Sequence, residues 1–223
     1  PDPAMPTDPQ VPDPRETVAD ALARRVPAPQ APSGHWLVEA LRELGAVDRA
    51  VYEAVARTPT ATLDGPVRRL SGAADRSRLW LGIAAAMAVL GGPRGRRAAL
   101  EGVVAIAVTS ATVNLGVKPI ARRRRPDRAQ PARFQDRHVP MPRSASFPSG
   151  HAASAFAFAY AVGRHLPALA VPIRLLAAAV AYSRVHTGVH YPGDVVIGSV
   201  TGAGTAAMVA AVADRGARHR RPA

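Results

Sequence analysis

The chain has 223 residues, no cysteine, 4% aromatic residues and a formal net charge of +13, from 29 lysines and arginines against 16 carboxylates. This length suits one domain, and a chain without cysteine has neither disulfides nor zinc–thiolate sites. The positive charge suits an anionic membrane surface, nucleic acid or a phosphate-bearing substrate, whereas the scarcity of aromatic rings argues against a surface that stacks nucleobases.

The first 33 residues contain nine prolines among small and charged residues. Such a segment buries too little apolar surface to offset the entropy of ordering, so we expect residues 1–33 to be disordered. The rest divides into a helical domain, residues 34–214, and a basic tail, residues 215–223.

Residues 35–59 place apolar side chains at helical spacing among charged ones. This pattern predicts an amphipathic helix, which either lies on a membrane surface or packs on the rest of the protein. Turn residues at 58–60 and 63–66 then precede a basic run, residues 67–78, which is also helical in pattern.

The second half of the chain is a series of apolar segments rich in alanine. Residues 79–92 are short for a membrane span, which needs about 20 residues. A basic loop at 93–97 leads into residues 98–117, the best transmembrane candidate, and residues 169–182 and 195–213 are further apolar segments. Gly198 and Gly202 form a small-residue packing face in the last. We therefore predict an all-α bundle of about five or six helices, at least partly in the membrane.

Lys118 ends the best transmembrane candidate and is followed by a run of arginines from 122 to 125. Phosphoryl transfer is stabilised mainly by positive groups placed on the phosphate oxygens. Lys118, Arg125 and, further along, Arg184 can supply those charges, and the arginine fork suits two oxygens at once. We interpret Arg122 to Arg124 as a solvated or membrane-facing basic patch.

The tetrapeptide Pro148-Ser149-Gly150-His151 precedes a predicted helix of small and aromatic residues. The Ser149 hydroxyl and the Gly150 N–H are small donors that can approach a phosphate closely. Helix N-termini also favour anions. His151 is a candidate for the group that protonates a departing oxygen.

A third group of residues, Ser183-Arg184 followed by His190 and Asp194, lies between the last two apolar segments. A neutral histidine can attack phosphorus, and a carboxylate behind it fixes its tautomer and stabilises the imidazolium. His190 with Asp194 fits this pairing. The alternation of helices places all three motifs on one face of the bundle.

Three motifs occur in a fixed order: Lys-x6-Arg-Pro, Pro-Ser-Gly-His and Ser-Arg-x5-His-x3-Asp. In this order they resemble the signature of the type 2 phosphatidic acid phosphatase superfamily. That superfamily includes vanadium haloperoxidases and bacterial class A acid phosphatases. The motifs span about a third of the chain. Every signature position is filled, by Lys118, Arg125, Pro126, Pro148, Ser149, Gly150, His151, Ser183, Arg184, His190 and Asp194.

The resemblance implies a bacterial membrane protein with a helical phosphatase domain over residues 34–214. It implies that His190 is the nucleophile, Asp194 its partner and His151 the general acid and base. Lys118, Arg125, Ser149, Gly150 and Arg184 would bind the phosphate. The expected reaction is hydrolysis of a lipid phosphomonoester or diphosphate through a phosphohistidine, without metal, organic cofactor or nucleic acid.

The sequence leaves the substrate open among phosphatidic acid, phosphatidylglycerol phosphate, a polyprenyl phosphate or diphosphate, and a polyprenyl phosphosugar of cell-wall precursor synthesis. We expect a multi-pass protein of the cell membrane. The sequence does not indicate its oligomeric state. It also leaves open the membrane side of the site, because the numbers of basic residues at the two ends of the spans are nearly equal.

Three other interpretations explain less of the sequence. A vanadate-dependent peroxidase would use the same residues but belongs to longer, soluble relatives. A non-catalytic basic membrane protein binding anionic lipid or nucleic acid leaves His151, His190 and Asp194 without a purpose. His186 and His190 are spaced like a pair of zinc ligands on one helix, but no third ligand accompanies them. Pro192 also argues against a continuous helix at this point.

Overall fold

The computed structural model describes residues 35–128 and 136–219, and the chain divides into two compact units, residues 1–44 and 45–223. The described part contains seven helices and no β-strand. The helices are α1 (Trp36–Arg57), α2 (Ala61–Ala73), α3 (Arg78–Leu90), α4 (Gly92–Ala111), α5 (Gly150–His165), α6 (Pro167–His186) and α7 (Pro192–His219). A 3-10 turn, Asp75–Ser77, precedes α3, and α4 continues through a π-helical stretch, Thr112–Val117, and one further turn, Lys118–Ala121. The all-α prediction is confirmed, and the segment predicted to be disordered lies outside the described residues.

Helix α1 confirms the predicted amphipathic helix. The described part of the first unit, residues 35–44, holds its beginning, with Trp36 and Leu41 exposed. Within the second unit, Tyr52 and Ala56 on the later turns of α1 are buried in a cluster with side chains of α5, α6 and α7. This later half of α1 therefore packs on the protein.

Two predicted loops are helical in the structure. The turn expected at 63–66 lies inside α2, because Asp64 on that helix is held by His186 (Nε2 to Oδ1, 2.9 Å) and by Arg137 (Nη2 to Oδ2, 3.4 Å). The basic loop expected at 93–97 forms the first turns of α4, where Arg96 donates from Nε to the carbonyl of Ala88 (3.2 Å). In both cases tertiary or local contacts outweigh the turn propensity of glycine and proline.

Helix α5 is the centre of the bundle and packs against α4, α6 and α7. Most of its residues are buried, and the majority of these are alanines, whose small side chains let the neighbouring helices approach closely. Phe158 fills the wider space on one side, with its ring 5.4 Å from that of Trp80 on α3. The alanine-rich sequence thus yields a tightly packed central helix.

The predicted packing face on α7 lies against the beginning of α5. A Cβ atom on Gly198 would come within 2.5 Å of the Ser149 carbonyl oxygen, and one on Gly202 would clash with the carbonyl of Ala153. Only glycine fits at these two positions. The contact fixes the N-terminal end of α5 beside the first turns of α7, where two of the sequence motifs lie.

Three helical segments are long and apolar enough to cross a membrane, Gly92–Ala121, Pro167–His186 and Pro192–Arg218. They include the three longer apolar segments of the sequence and expose many large apolar side chains, among them Leu100, Leu115, Leu175, Val200 and Met208. Helix α7 continues past residue 214, where the basic tail was expected to begin, to His219. The chain therefore has the helices of a membrane protein.

Candidate active site

His190 lies in the short connection between α6 and α7 and is 2% exposed. Its Nδ1 atom is 3.5 Å from Asp194 Oδ2 and 3.4 Å from Ser146 Oγ. Its Nε2 atom is 3.2 Å from Arg125 Nη1. The two ring nitrogens therefore face opposite kinds of partner.

These partners define the tautomer of His190. A guanidinium group has donors and no acceptor, so the nitrogen that faces Arg125 must offer its lone pair. The ring proton is then on Nδ1, directed at the carboxylate of Asp194. Nε2 is consequently an unprotonated nitrogen beside a cation, which is the arrangement that a nucleophile for an anionic phosphate requires.

Burial lowers the pKa of His190 to about 4, with Asp194 acting in the opposite direction and Arg125 in the same one. The imidazole is therefore neutral over the physiological range. A neutral ring keeps the Nε2 lone pair available for attack.

Asp194 is fully buried in the first turn of α7 and accepts hydrogen bonds on both carboxylate oxygens. Oδ2 accepts from Ser146 Oγ (2.5 Å) and from the Tyr191 N–H (2.9 Å), while Oδ1 accepts from Arg123 Nη1 (2.9 Å). A buried charge is tolerated when it is paired and hydrogen-bonded in this way. The carboxylate is thereby fixed behind the His190 ring.

Arg123 was placed in a solvated patch, and the structure corrects that interpretation. Its side chain is 29% exposed and bridges two carboxylates, Asp194 and Asp48, with a distance of 2.6 Å from Nη2 to Asp48 Oδ2. Asp48 also accepts from the Gly193 N–H (2.7 Å). The sequence did not indicate that Arg123 bridges two carboxylates, because position within a run of four arginines does not distinguish a paired residue from a solvated one.

Arg125 and Lys118 are joined through Ser144, a residue outside the three sequence motifs. Lys118 Nζ and Arg125 Nη2 each lie 3.3 Å from Ser144 Oγ. Arg125 is held further by the carbonyls of Ser144 (3.0 Å to Nε) and Val189 (2.7 Å to Nη1). These contacts orient two cations of the predicted phosphate site beside His190.

The N-terminal end of α5 carries Ser149 and Gly150 into the same region. Ser149 caps the helix by accepting from the Ala152 N–H (3.4 Å), and its own N–H donates to the Asp194 carbonyl (2.8 Å). A Cβ on Gly150 would lie 3.7 Å from Lys118 Nζ. The helix terminus and the Lys118 ammonium therefore present positive potential to one point.

Arg184 is 1% exposed and lies near the end of α6. Its Nη1 donates to Ser71 Oγ (2.6 Å) and lies 3.5 Å from Asp75 Oδ1, and its carbonyl accepts from the His190 N–H (3.2 Å). Its Nε–H has no partner within the described part of the chain. A buried donor of this kind is costly unless a ligand satisfies it, which agrees with a phosphate-binding role.

His151 contacts a carboxylate that the sequence did not indicate. Its Nε2 is 2.8 Å from Oδ1 of Asp75, in the 3-10 turn before α3. The hydrogen bond from His151 lowers the pKa of Asp75. Burial lowers the pKa of His151, and Asp75 acts against that shift. Asp75 therefore influences the group predicted to transfer protons.

The structure thus brings all eight predicted residues into one connected region. Ser144 links Lys118 with Arg125, backbone bonds link Arg184 with His190 and Ser149 with Asp194, and Asp75 links His151 with Arg184. Asp75 and Ser146 are single polar residues before a helix, and Asp48 is one of several charged residues within α1, so none of the three had a signal in the sequence. His186, once considered for zinc, is paired with Asp64 instead.

No group of three or more potential metal-ligating side chains occurs among residues 35–128 and 136–219. The candidate site places the cations Arg125 and Arg184 near His190, the predicted nucleophile. Such a set can stabilise the charge of a transferring phosphoryl group by position alone.

Two mycobacterial phosphatases are similar to this chain in sequence. Decaprenylphosphoryl-5-phosphoribose phosphatase of Mycobacterium tuberculosis is 38% identical over 133 residues, which are 60% of this chain and 71% of that protein. The protein of the same name from Mycolicibacterium smegmatis is 38% identical over 164 residues, 72% of this chain and 83% of its own length.

Two solved structures share the fold. One is the PAP2-type phosphatidylglycerolphosphate phosphatase from Bacillus subtilis, with a TM-score of 0.59 at 24% identity over 78% of this chain and 87% of that one. The other is Aquifex aeolicus LpxE, with a TM-score of 0.60 at 18% identity over 73% of this chain and 94% of that one. At this identity both structures establish the fold alone.

The PAP2 superfamily model matches residues 98–217, more than half of the chain. This range contains every motif residue of the site. With the helical bundle, the site geometry and the mycobacterial relatives, it shows that the chain belongs to the PAP2 superfamily.

Proposed function

We propose that this protein is a multi-pass phosphatase of the cell membrane that hydrolyses a phosphomonoester on a lipid substrate through a phosphohistidine on His190. The observation that carries the proposal is the pairing of His190 Nε2 with Arg125 and of Nδ1 with Asp194. It presents a neutral nucleophile to a position where an anion would be stabilised.

In the first step, the Nε2 lone pair of His190 attacks phosphorus and the bond from phosphorus to the ester oxygen breaks. His151 donates a proton to that oxygen, and an alcohol leaves. Asp194 stabilises the imidazolium that forms. Lys118, Arg125 and Arg184 offset the charge on the phosphate oxygens.

In the second step, water attacks the phosphohistidine, and the phosphorus–nitrogen bond breaks. His151, now neutral, takes the proton of the attacking water, which restores its charged form and frees inorganic phosphate. The Ser149 hydroxyl and the Gly150 N–H would act as further donors to the phosphate. The chain's own residues account for every proton in the cycle.

A lipid substrate is supported by the position of the site at the ends of apolar helices. Lys118 follows the apolar length of α4, Arg184 ends α6, and Asp194 begins α7. A soluble substrate would not need such a location, whereas a lipid phosphate can reach the site from the interface.

The mycobacterial relatives favour a polyprenyl phosphosugar as the substrate. This second candidate is more specific than the lipid phosphomonoester proposed above. Both carry the name decaprenylphosphoryl-5-phosphoribose phosphatase, and the longer match covers most of each chain. The reaction would then release phosphate from the sugar and leave the phosphodiester to the polyprenyl chain intact.

The test is phosphate release by the detergent-purified full chain on a panel of four lipids: a polyprenylphosphoryl-5-phosphopentose, phosphatidic acid, phosphatidylglycerol phosphate and a polyprenyl diphosphate. His190→Ala is the inactive variant, and His35→Ala, an exposed histidine of the first unit, is the matched control. We expect release from at least one lipid by the parent and the control, and none by His190→Ala.

Rapid quenching of the parent enzyme should also trap an acid-labile phosphoenzyme. Turnover by His190→Ala at the parent rate would remove His190 as nucleophile. A lack of release from all four lipids by the parent would overturn the proposed function itself.

A further inference from the structure

A cavity of about 150 Å³ lies beside the predicted phosphate site. It is lined by three of the predicted residues, Lys118, Gly150 and His151, together with Ala74, Arg76, Ser77, Ser110, Asn114 and Ser154. A space of ~15 Å³ on this kind of measure holds one water. The cavity therefore has room for more than the phosphate group on which the reaction occurs.

The orientation of the Asn114 amide is determined by its neighbours on α4. Nδ2 donates to the Ser110 carbonyl (2.9 Å) and to Ser110 Oγ (3.1 Å). A carbonyl is only an acceptor, so the amide nitrogen must face it. The amide oxygen, Oδ1, therefore faces the other way, 4.0 Å from where a Cβ on Gly150 would lie.

An acceptor at this place does not serve a phosphate. Phosphate oxygens are themselves acceptors with negative charge, and the carbonyl dipole of Asn114 would repel them. Around it lie cations and donors, namely Lys118, Arg76 and the N-terminal end of α5. Asn114 Oδ1 is suited instead to a neutral donor next to the phosphate, and on a phosphorylated headgroup that donor is a hydroxyl group.

Other cavity side chains match the same chemistry. Ser110 Oγ accepts from Asn114, so its own hydrogen remains available to donate, and Ser77 and Ser154 add two more hydroxyl groups. Asn114 lies in the π-helical stretch of α4, a local departure from α-helical geometry that is frequent at functional sites. The lining can thus both accept from and donate to a polyol.

We propose that this cavity binds the hydroxyl-bearing part of the substrate headgroup, with Asn114 Oδ1 accepting a hydrogen bond from a hydroxyl group of a sugar. The inference rests on the proposed function and deepens it. It makes Asn114 a specificity residue that favours a phosphosugar over phosphatidic acid or a polyprenyl diphosphate, which carry no hydroxyl group near the phosphate.

The first experiment uses the parent protein and two substrates that differ only in the sugar, polyprenylphosphoryl-5-phosphoribose and its 2,3-dideoxy analogue. We expect kcat/KM for the ribose substrate to be at least about tenfold higher, because a site built to bind a hydroxyl group discriminates against the compound without it. Equal values for the two substrates would overturn the inference while leaving the phosphatase in place.

The second experiment uses Asn114→Leu, which keeps the size of the side chain and removes the acceptor. We expect the ratio of kcat/KM between the two substrates to fall by about tenfold, towards one. The matched control is Thr112→Val in the same π-helical stretch. This variant also loses a hydrogen bond to the carbonyl four residues earlier (Thr112 Oγ1 to Val108 O, 2.9 Å), but Thr112 does not line the cavity. It should keep the parent ratio. An unchanged ratio in Asn114→Leu would overturn the assignment of Asn114.

A binding measurement separates this inference from the proposed reaction. Ribose 5-phosphate and its 2,3-dideoxy analogue are titrated calorimetrically into the detergent-solubilised parent protein. Tighter binding of the ribose compound would support the hydroxyl site even if no lipid is hydrolysed. The lack of hydrolysis would count only against the proposed phosphatase activity. Equal affinity of the two compounds would count against the hydroxyl site.

Discussion

The guanidinium of Arg123 bonds the buried carboxylate of Asp194, at 2.9 Å from Nη1 to Oδ1, and so connects the arginine run to the pair of His190 and Asp194. Through its other nitrogen, Arg123 also bonds Asp48 on α1. The carboxylate behind His190 is therefore fixed by a residue 71 positions earlier in the chain.

Replacing Arg123 should weaken both the fold and the reaction. Arg123→Ala removes one of the four groups that contact the buried Asp194 carboxylate and leaves Ser146, the Tyr191 N–H and His190. A lost partner of a buried charge costs about 1–3 kcal/mol. We expect a lower thermal midpoint and a kcat reduced by at least about tenfold, measured by unfolding in detergent and by phosphate release. The exposed neighbour Arg124 supplies the control, since Arg124→Ala should change neither. A parent-like kcat in Arg123→Ala would show that Asp194 needs no such support.

Asp75 should act on the reaction through His151. Burial lowers the pKa of His151 and Asp75 opposes this shift, so Asp75→Asn should lower that pKa further. Because His151 must be protonated to donate to the leaving oxygen, the decline of kcat/KM with rising pH should begin at lower pH in the variant. Full pH–rate profiles of the parent, Asp75→Asn and Asp127→Asn, an exposed carboxylate, check this. A profile in Asp75→Asn that matches the parent would limit Asp75 to a structural role.

His190 should make the fold less stable in acid. Its pKa in the folded chain, about 4, lies below the unfolded value near 6.5, so the unfolded chain binds the proton more readily in that window. The neutral imidazole contributes fully to the free energy of unfolding above about pH 6.5. That contribution, on the order of 3 kcal/mol in total, is lost as the pH falls towards about 4. His190→Asn removes the titrating group and should flatten this part of the stability curve. Identical slopes in parent and His190→Asn would contradict the assignment of a buried neutral imidazole.

The charge for catalysis should come from side chains rather than from a metal. We expect Lys118, Arg125 and Arg184 to supply the positive charge at the phosphate, so EDTA should leave phosphate release unchanged. Orthovanadate should inhibit, because it mimics the phosphoryl group in the same set of cations. Loss of activity in EDTA that a divalent metal restores would contradict this mechanism. The measurement is initial rate in chelator, with and without added Mg²⁺ or Zn²⁺.

Much of the site was predictable because its chemistry depends on residue types at fixed spacing. Lys118, His151 and His190 stand in motifs whose order in the sequence is specific, and the apolar segments between them predict helices that return to one end of the bundle. The amphipathic pattern of α1 and the apolar stretch before Lys118 were also sufficient to predict those helices.

The partners of these residues were not predictable. Asp75 and Ser146 are single polar residues outside any motif, and Asp48 is one charged residue among several on the amphipathic helix α1. Each acts on a residue at least 44 positions away. Arg123 was assigned to solvent for a related reason, since the sequence does not show which arginine of a run turns inward.

The sequence by itself therefore determined the helical class and predicted the candidate reacting groups, because both follow from local residue types and their spacing. Only the tertiary structure decided which carboxylate orients each histidine, which nitrogen of His190 is free and which oxygen of Asn114 faces the cavity. Those properties depend on distances of a few ångströms between helices, which packing sets and which no local pattern records.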